Sequence, residues 1–87
     1  MSLQPGIKIT VSVNSFGQWL VIKRAELRLT QKTVALALGV AHQTVSQWEK
    51  EKSLAKLNSD QLGRLCKLLN CSFEEVPTQG VKVIQIV

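Results

Sequence analysis

Leu29-Thr30-Gln31, followed by Leu38-Gly39-Val40-Ala41-His42-Gln43-Thr44-Val45-Ser46-Gln47-Trp48-Glu49, is the stretch whose reading decides the fold of this chain. Thr30 suits an N-cap, since its hydroxyl can accept from a free backbone N–H one turn on. The helix it opens sets Val34, Ala35 and Leu38 on one side at helical spacing. Gly39 stops that helix, because glycine enters the left-handed conformation of a helix end at little cost. A second helix then runs from about Ala41 to Lys50, with Val45 and Trp48 facing inward. His42, Gln43, Thr44 and Gln47 form its outer, uncharged polar face. The pattern predicts two short helices joined by a tight turn.

Working outward, the same period of 3.6 begins upstream at Ser15, which makes a capping box with Gln18. Phe16, Leu20 and Leu27 form an apolar stripe on this first helix, with Trp19 and Ala25 near its edges, and Gly17 weakens the helix slightly. Downstream, Asn58 and Gln61 make a second box before Leu62, Leu65, Cys66 and Leu69, and Asn70 suits a left-handed C-cap. Ser72 and Glu75 make a third box for a short last helix holding Phe73 and Val76. The expected fold is therefore mostly α, with five short helices. Its expected core is Phe16, Leu20, Val34, Ala35, Leu38, Val45, Trp48, Leu62, Leu65, Cys66 and Leu69.

The ends read differently. Ile7-Lys8-Ile9-Thr10-Val11-Ser12-Val13 alternates apolar and polar with period two, the pattern of a strand, and Val81–Val87 has a similar, less regular character. The expected organisation is an N-terminal β-strand arm at 1–13, a helical domain at 14–76 and a C-terminal β-strand tail at 77–87. The two tails are expected to run antiparallel, paired with each other or across a dimer axis.

Composition narrows the function. The 87 residues fit one small domain, and 45% hydrophobic with 20% charged residues suits a folded chain rather than a disordered one. Lys and Arg number 11 against 6 Asp and Glu, and the net charge of +5 favours a phosphate-bearing partner. Cys66, Cys71 and the single His42 are too few for a zinc site, so neither metal nor cofactor is expected. The two cysteines could form a disulfide, although reduced thiols fit as well. No stretch reaches the roughly 20 apolar residues of a membrane span, and the N-terminus lacks the order of a signal peptide, so the expected location is the cytoplasm. No Gly-rich phosphate loop, carboxylate pair or nucleophile–base arrangement appears, which argues against an enzyme. In so basic a chain, a helix face carrying glutamines suits the major groove of DNA, where Gln pairs bidentately with adenine.

From about Phe16 to Val76 the chain resembles the helix-turn-helix domain of the phage repressor and Cro family, also called XRE-type. The likeness rests on Leu29-Thr30-Gln31, Val34-Ala35, Leu38-Gly39-Val40, Val45-Ser46-Gln47-Trp48-Glu49, Leu62, Leu65-Cys66, Leu69-Asn70-Cys71-Ser72 and Glu74-Glu75-Val76. The resemblance implies a five-helix body whose third helix enters the major groove, a homodimer on a palindromic operator, and repression by occupying that site. Carried over, the base-reading positions are His42, Gln43 and Gln47, with Thr44 beside them. The phosphate-contacting glutamine is Gln31, and an ion pair joins Arg24 to Glu49.

The residues themselves support these roles to different degrees. Gln43 and Gln47 stand at i and i+4 and share one face. Gln31 lies in a first helical turn, where free N–H groups favour an anion. Ser46 flanks the polar face and meets sugar-phosphate or water, and Lys32, Lys50, Lys52 and Lys56 complete the expected backbone contacts, with Lys23 and Arg28 in the wider basic set. His42 at the helix start suits a base, a phosphate or water alike.

Three departures from the family's pattern stand out. Ala41 replaces the usual capping Ser or Thr, Glu49-Lys50-Glu51-Lys52 lacks the usual Gly, and Ser53–Leu57 lacks the usual Pro. The third helix could continue through that segment or the loop could take another path. The alternative function is a protein-binding module of the same fold, an antitoxin or adaptor that holds its partner through the β tails.

Overall fold

The computed structural model describes residues 15–84. Within them α1 spans Phe16–Leu27, α2 Gln31–Leu38, α3 His42–Glu49 and α4 Ser59–Leu69. The helices start where short polar side chains cap them. Both bonds of the Ser15–Gln18 box are made, each at 3.4 Å. The Asn58–Gln61 box is tighter, at 2.7 and 3.0 Å. Thr30 accepts from the Thr33 N–H at 3.1 Å. The Phe16 N–H, left free by the helix geometry, donates to the Gln79 carbonyl at 2.7 Å, so the C-terminal segment caps α1 as well.

All four helices end in the same way with four different residues. Arg28, Gly39, Glu51 and Asn70 take positive φ values of 57°, 68°, 58° and 53°. Beyond each, a backbone N–H reaches back to the last turn: Leu29 to the Arg24 carbonyl, Val40 to Ala35, Lys52 to Gln47 and Cys71 to Cys66, at 2.9 to 3.0 Å. The loop after α3 is thereby explained. The helix does not continue; Glu51 adopts the left-handed conformation that a glycine would take, at a cost of roughly 1–2 kcal/mol for a residue with a Cβ.

The expectation of five helices is corrected, and an unexpected internal strand joins the C-terminal one. Four α-helices are present among the described residues. Phe73–Glu75 is a single 3₁₀ turn closed by Glu75 N–H to Ser72 O at 3.1 Å and Val76 N–H to Phe73 O at 3.3 Å. Pro77 follows at once and disfavours a helical conformation at Val76, so no α-turn can form there. Phe73 points outward at 58% exposure, and Leu27, expected in the stripe of α1, is 39% exposed.

The strands among the described residues are β1, Ala55–Asn58, and β2, Val81–Ile84. They pair in parallel, in register Ala55↔Val81, Lys56↔Lys82, Leu57↔Val83 and Asn58↔Ile84. β2 therefore pairs with an internal segment running the same way. The expected strand at Ile7–Val13 and the last three residues of the tail lie outside the described residues. The reason for the parallel pairing is local. Asn58 both ends β1 and caps α4, so α4 is the crossover that parallel strands require. After Gly80, whose φ is 91° and whose carbonyl accepts from the Ala55 N–H at 3.0 Å, the chain sets off beside β1 in the same direction.

Phe16, Leu20, Val34, Ala35, Leu38, Val45, Trp48, Leu62, Leu65 and Leu69 meet in one core, with Cys66 buried at its margin. The indole of Trp48 stands edge-on to Phe16, ring centres 6.0 Å apart, an arrangement that favours the aromatic quadrupoles. Ala55 and Leu57 of β1 are fully buried in the same cluster and are absent from the core expected from sequence.

Candidate nucleic-acid interface

The position of α3 follows from contacts on three sides. Val45 and Trp48 anchor its inner face. Gly17 lies against its C-terminal end: a Cβ there would collide with the Trp48 carbonyl oxygen and lie 3.2 Å from the Glu49 Cα. The first turn of α1 thus packs backbone to backbone against α3, which only glycine permits. On the far side of the turn, the Gln61 amide donates to the Leu38 carbonyl at 3.0 Å and ties α4 to the end of α2.

A chain of polar contacts then fixes the third side. The guanidinium of Arg24 donates from Nε to Glu49 Oε2 at 2.7 Å and from Nη2 to Oε1 at 2.9 Å, and from Nη1 to the Leu29 carbonyl at 2.9 Å. Bidentate geometry of this kind is the strong form of the ion pair. As acceptor, Glu49 raises the Arg24 pKa above its already high ordinary value, with burial opposing. The Glu49 side chain is only 5% exposed and also accepts from Gln31 Nε2 at 2.8 Å. Gln31 Oε1 lies 2.8 Å from His42 Nε2. A carboxylate can only accept, so the Gln31 nitrogen faces Glu49 and its oxygen faces His42. His42 Nε2 therefore carries the proton of this bond, and Nδ1 is the ring atom left over.

The expected site residues divide accordingly. His42, Gln43 and Gln47 are exposed on α3, and Thr44 and Ser46 are half-buried beside them. Gln31 and His42, expected to act separately, are joined to each other. Lys32, Lys50, Lys52 and Lys56 are exposed and make no ion pair among the described residues. Lys32, Arg24 and His42 line one open depression with Thr30 and Gln31. Ala41 gives α3 no side-chain cap; its carbonyl accepts from the Thr44 N–H at 3.0 Å instead. Gly17 and Gln61 are positioning residues that the reading of the sequence did not single out as such. The one signal for Gly17 is a glycine in the first turn of a helix that any better helix former would stabilise.

A helix-turn-helix family model matches residues 21–76. The chain belongs to the helix-turn-helix family. No curated protein and no solved structure matches it. The helix-turn-helix is α2, the turn at Gly39–Ala41 and α3, and such a domain is a regulatory, DNA-binding unit rather than a catalytic one. The matched residues begin within α1 and stop short of β2, so Phe16, Gly17 and β2 lie outside the part of this helix-turn-helix protein that the family model covers. Among the described residues, no group of three metal-ligating side chains occurs, and no helix is long and apolar enough to cross a membrane.

Proposed function

We propose that this helix-turn-helix protein is a sequence-specific binder of double-stranded DNA of the phage repressor and Cro (XRE) type, a cytoplasmic repressor that inserts α3 in the major groove. The observation that carries this reading is the contrast between the two faces of α3. One face is held by Val45, Trp48 and the Arg24–Glu49 pair, and the other exposes Gln43 and Gln47, with His42 exposed beside them and bonded to Gln31. DNA binding belongs to residues 14–76. Gln43 and Gln47 address neighbouring base edges, with His42 and Thr44 at the flank. Gln31, Lys32, Ser46, Lys50, Lys52 and Lys56 take the sugar-phosphate; Gln31 keeps a second amide N–H for this, since only one is bound to Glu49. Two copies, with their α3 helices about 34–36 Å apart, read a palindromic operator.

Selection of bound duplexes from a random pool, then titration of Gln43→Ala and Gln47→Ala, tests the proposal. Each variant should lose about 1–3 kcal/mol on the selected duplex and little on a scrambled one. Equal losses on both duplexes would remove the claim of base reading.

A second reading, a protein-binding adaptor or antitoxin of the same fold, is favoured by an apolar groove of about 210 Å³ lined by Leu62, Phe73, Val76, Pro77, Val81 and Val83. The two readings separate by salt. Phosphate-dominated binding weakens steeply between about 50 and 200 mM, whereas a partner seated on apolar residues responds far less.

A further inference from the structure

The parallel register places Lys56 and Lys82 side by side on adjoining strands. Ala55 and Leu57 point into the core, so Lys56 stands on the outer face of the sheet, and its register partner Lys82 shares that face. Both lysines are exposed, and neither has an ion-pair partner among the described residues; the acidic groups that do pair are Glu26 with Lys23, Glu49 with Arg24 and Asp60 with Arg64. Neighbouring strands lie about 4.8 Å apart, and like charges at paired positions repel. Such a pair is a site that an anion relieves.

We propose that Lys56 and Lys82 together grip a phosphate of the DNA backbone flanking the bases that α3 reads. This inference rests on the DNA-binding reading above and extends it to β2, which lies beyond the matched residues. Duplex DNA is favoured as the anion by where the pair sits. From Lys50, just past α3, to Lys56 the chain spans at most about 20 Å, less than the roughly 34 Å of one duplex turn. Lys50 and Lys52, exposed on the same connecting segment, continue the basic track from α3 towards the sheet. Glu51 is the acidic residue within that track and makes no ion pair among the described residues. A phosphodiester has two unesterified oxygens, so it can accept from both ammonium groups at once.

The experiment measures affinity for a mixed-sequence 30-base-pair duplex over a salt series, using the full chain and the variants Lys56→Gln, Lys82→Gln and Lys67→Gln. Lys67 is an exposed lysine of α4 and controls for the loss of one net charge. Each phosphate contact contributes about 0.9 to the slope of log affinity against log salt. Lys56→Gln and Lys82→Gln should each flatten the slope by about that amount, so that from 50 to 200 mM they lose about 3.5-fold less affinity than the wild-type chain. Lys67→Gln should keep the wild-type slope. A wild-type slope in Lys82→Gln overturns the proposal and leaves the helix-turn-helix reading in place. Equal flattening in Lys82→Gln and Lys67→Gln also overturns it, since the effect is then one of diffuse charge. Absence of duplex binding by the wild-type chain overturns the DNA-binding reading and this inference with it.

Discussion

Replacing Gly17 by Ala should destabilise the domain, whereas the same change at Gly63 should stabilise it. Helix propensity alone predicts a gain at both sites, up to about 1 kcal/mol each. The surroundings differ. At Gly63, on the exposed side of α4, an added Cβ meets nothing within 4 Å, so the propensity gain of about 0.5–1 kcal/mol should appear in full. At Gly17 the Cβ would overlap the Trp48 carbonyl oxygen and lie 3.1 Å from the Trp48 carbonyl carbon. These atoms are backbone, so no rotamer change relieves the overlap, and α1 and α3 must move apart. Overpacking of this kind costs about 1–3 kcal/mol, and Gly17 lies in the first helical turn, where propensity counts for less, so the net loss is about 1–2 kcal/mol. For a domain of this size each kcal/mol moves Tm by about 4–8 °C. Urea unfolding followed by tryptophan fluorescence, with calorimetry in parallel, should give shifts of opposite sign for the two variants. Because Gly17 sets the seat of α3, its variant should also bind DNA more weakly at temperatures where it remains folded, and Gly63→Ala should not. A Gly17→Ala chain as stable as the wild type would refute the backbone contact as the reason for this glycine.

Other perturbations test the rest of the frame. Arg24→Ala leaves the nearly buried Glu49 carboxylate without its cation and should cost about 3–5 kcal/mol in chemical denaturation, while Arg24→Met with Glu49→Leu should recover most of the loss; a loss below 1 kcal/mol would mean that water screens the pair. Glu51→Gly removes the Cβ from a left-handed residue and should raise stability by about 1 kcal/mol, a gain that thermal unfolding would detect and whose absence would rule out strain at this position. The Cys71 thiol is pushed up to about 11, chiefly by burial and then by the Cys66 thiol beside it. Folding therefore favours its neutral form. That contribution is complete below the unfolded thiol range near about 8.5 and is lost as pH climbs through the folded value. At pH 8 iodoacetamide should alkylate Cys71 more slowly in the folded chain than in urea, as mass spectrometry of the labelled peptides can show; equal rates would contradict the shift.

Much of this protein was legible in its sequence because the signals for it act over a few residues. Ser15 with Gln18, Thr30, and Asn58 with Gln61 start helices through bonds three positions apart. Gly39 and Asn70 end helices through their own backbone freedom, and the 3.6-residue period marks which side chains enter the core. The outer face of α3 follows from the same period once Val45 and Trp48 define the inner one. What the sequence left open depends on partners far along the chain. Ala55-Lys56-Leu57-Asn58 holds too short an alternation to announce a strand, and it becomes one only because α4 carries Val81–Ile84 back beside it. The same return paired Val81–Ile84 in parallel with an internal segment and placed Lys82 next to Lys56. Ser72 with Glu75 promised a helix on local grounds, but Pro77 leaves room for one 3₁₀ turn. Within the candidate interface, residue types announced the glutamines, and the family resemblance announced the Arg24–Glu49 pair. Only the packed structure joined Gln31 to His42 and gave Gly17 its purpose against the Trp48 carbonyl, because each depends on the distance between two helices, and packing sets that distance.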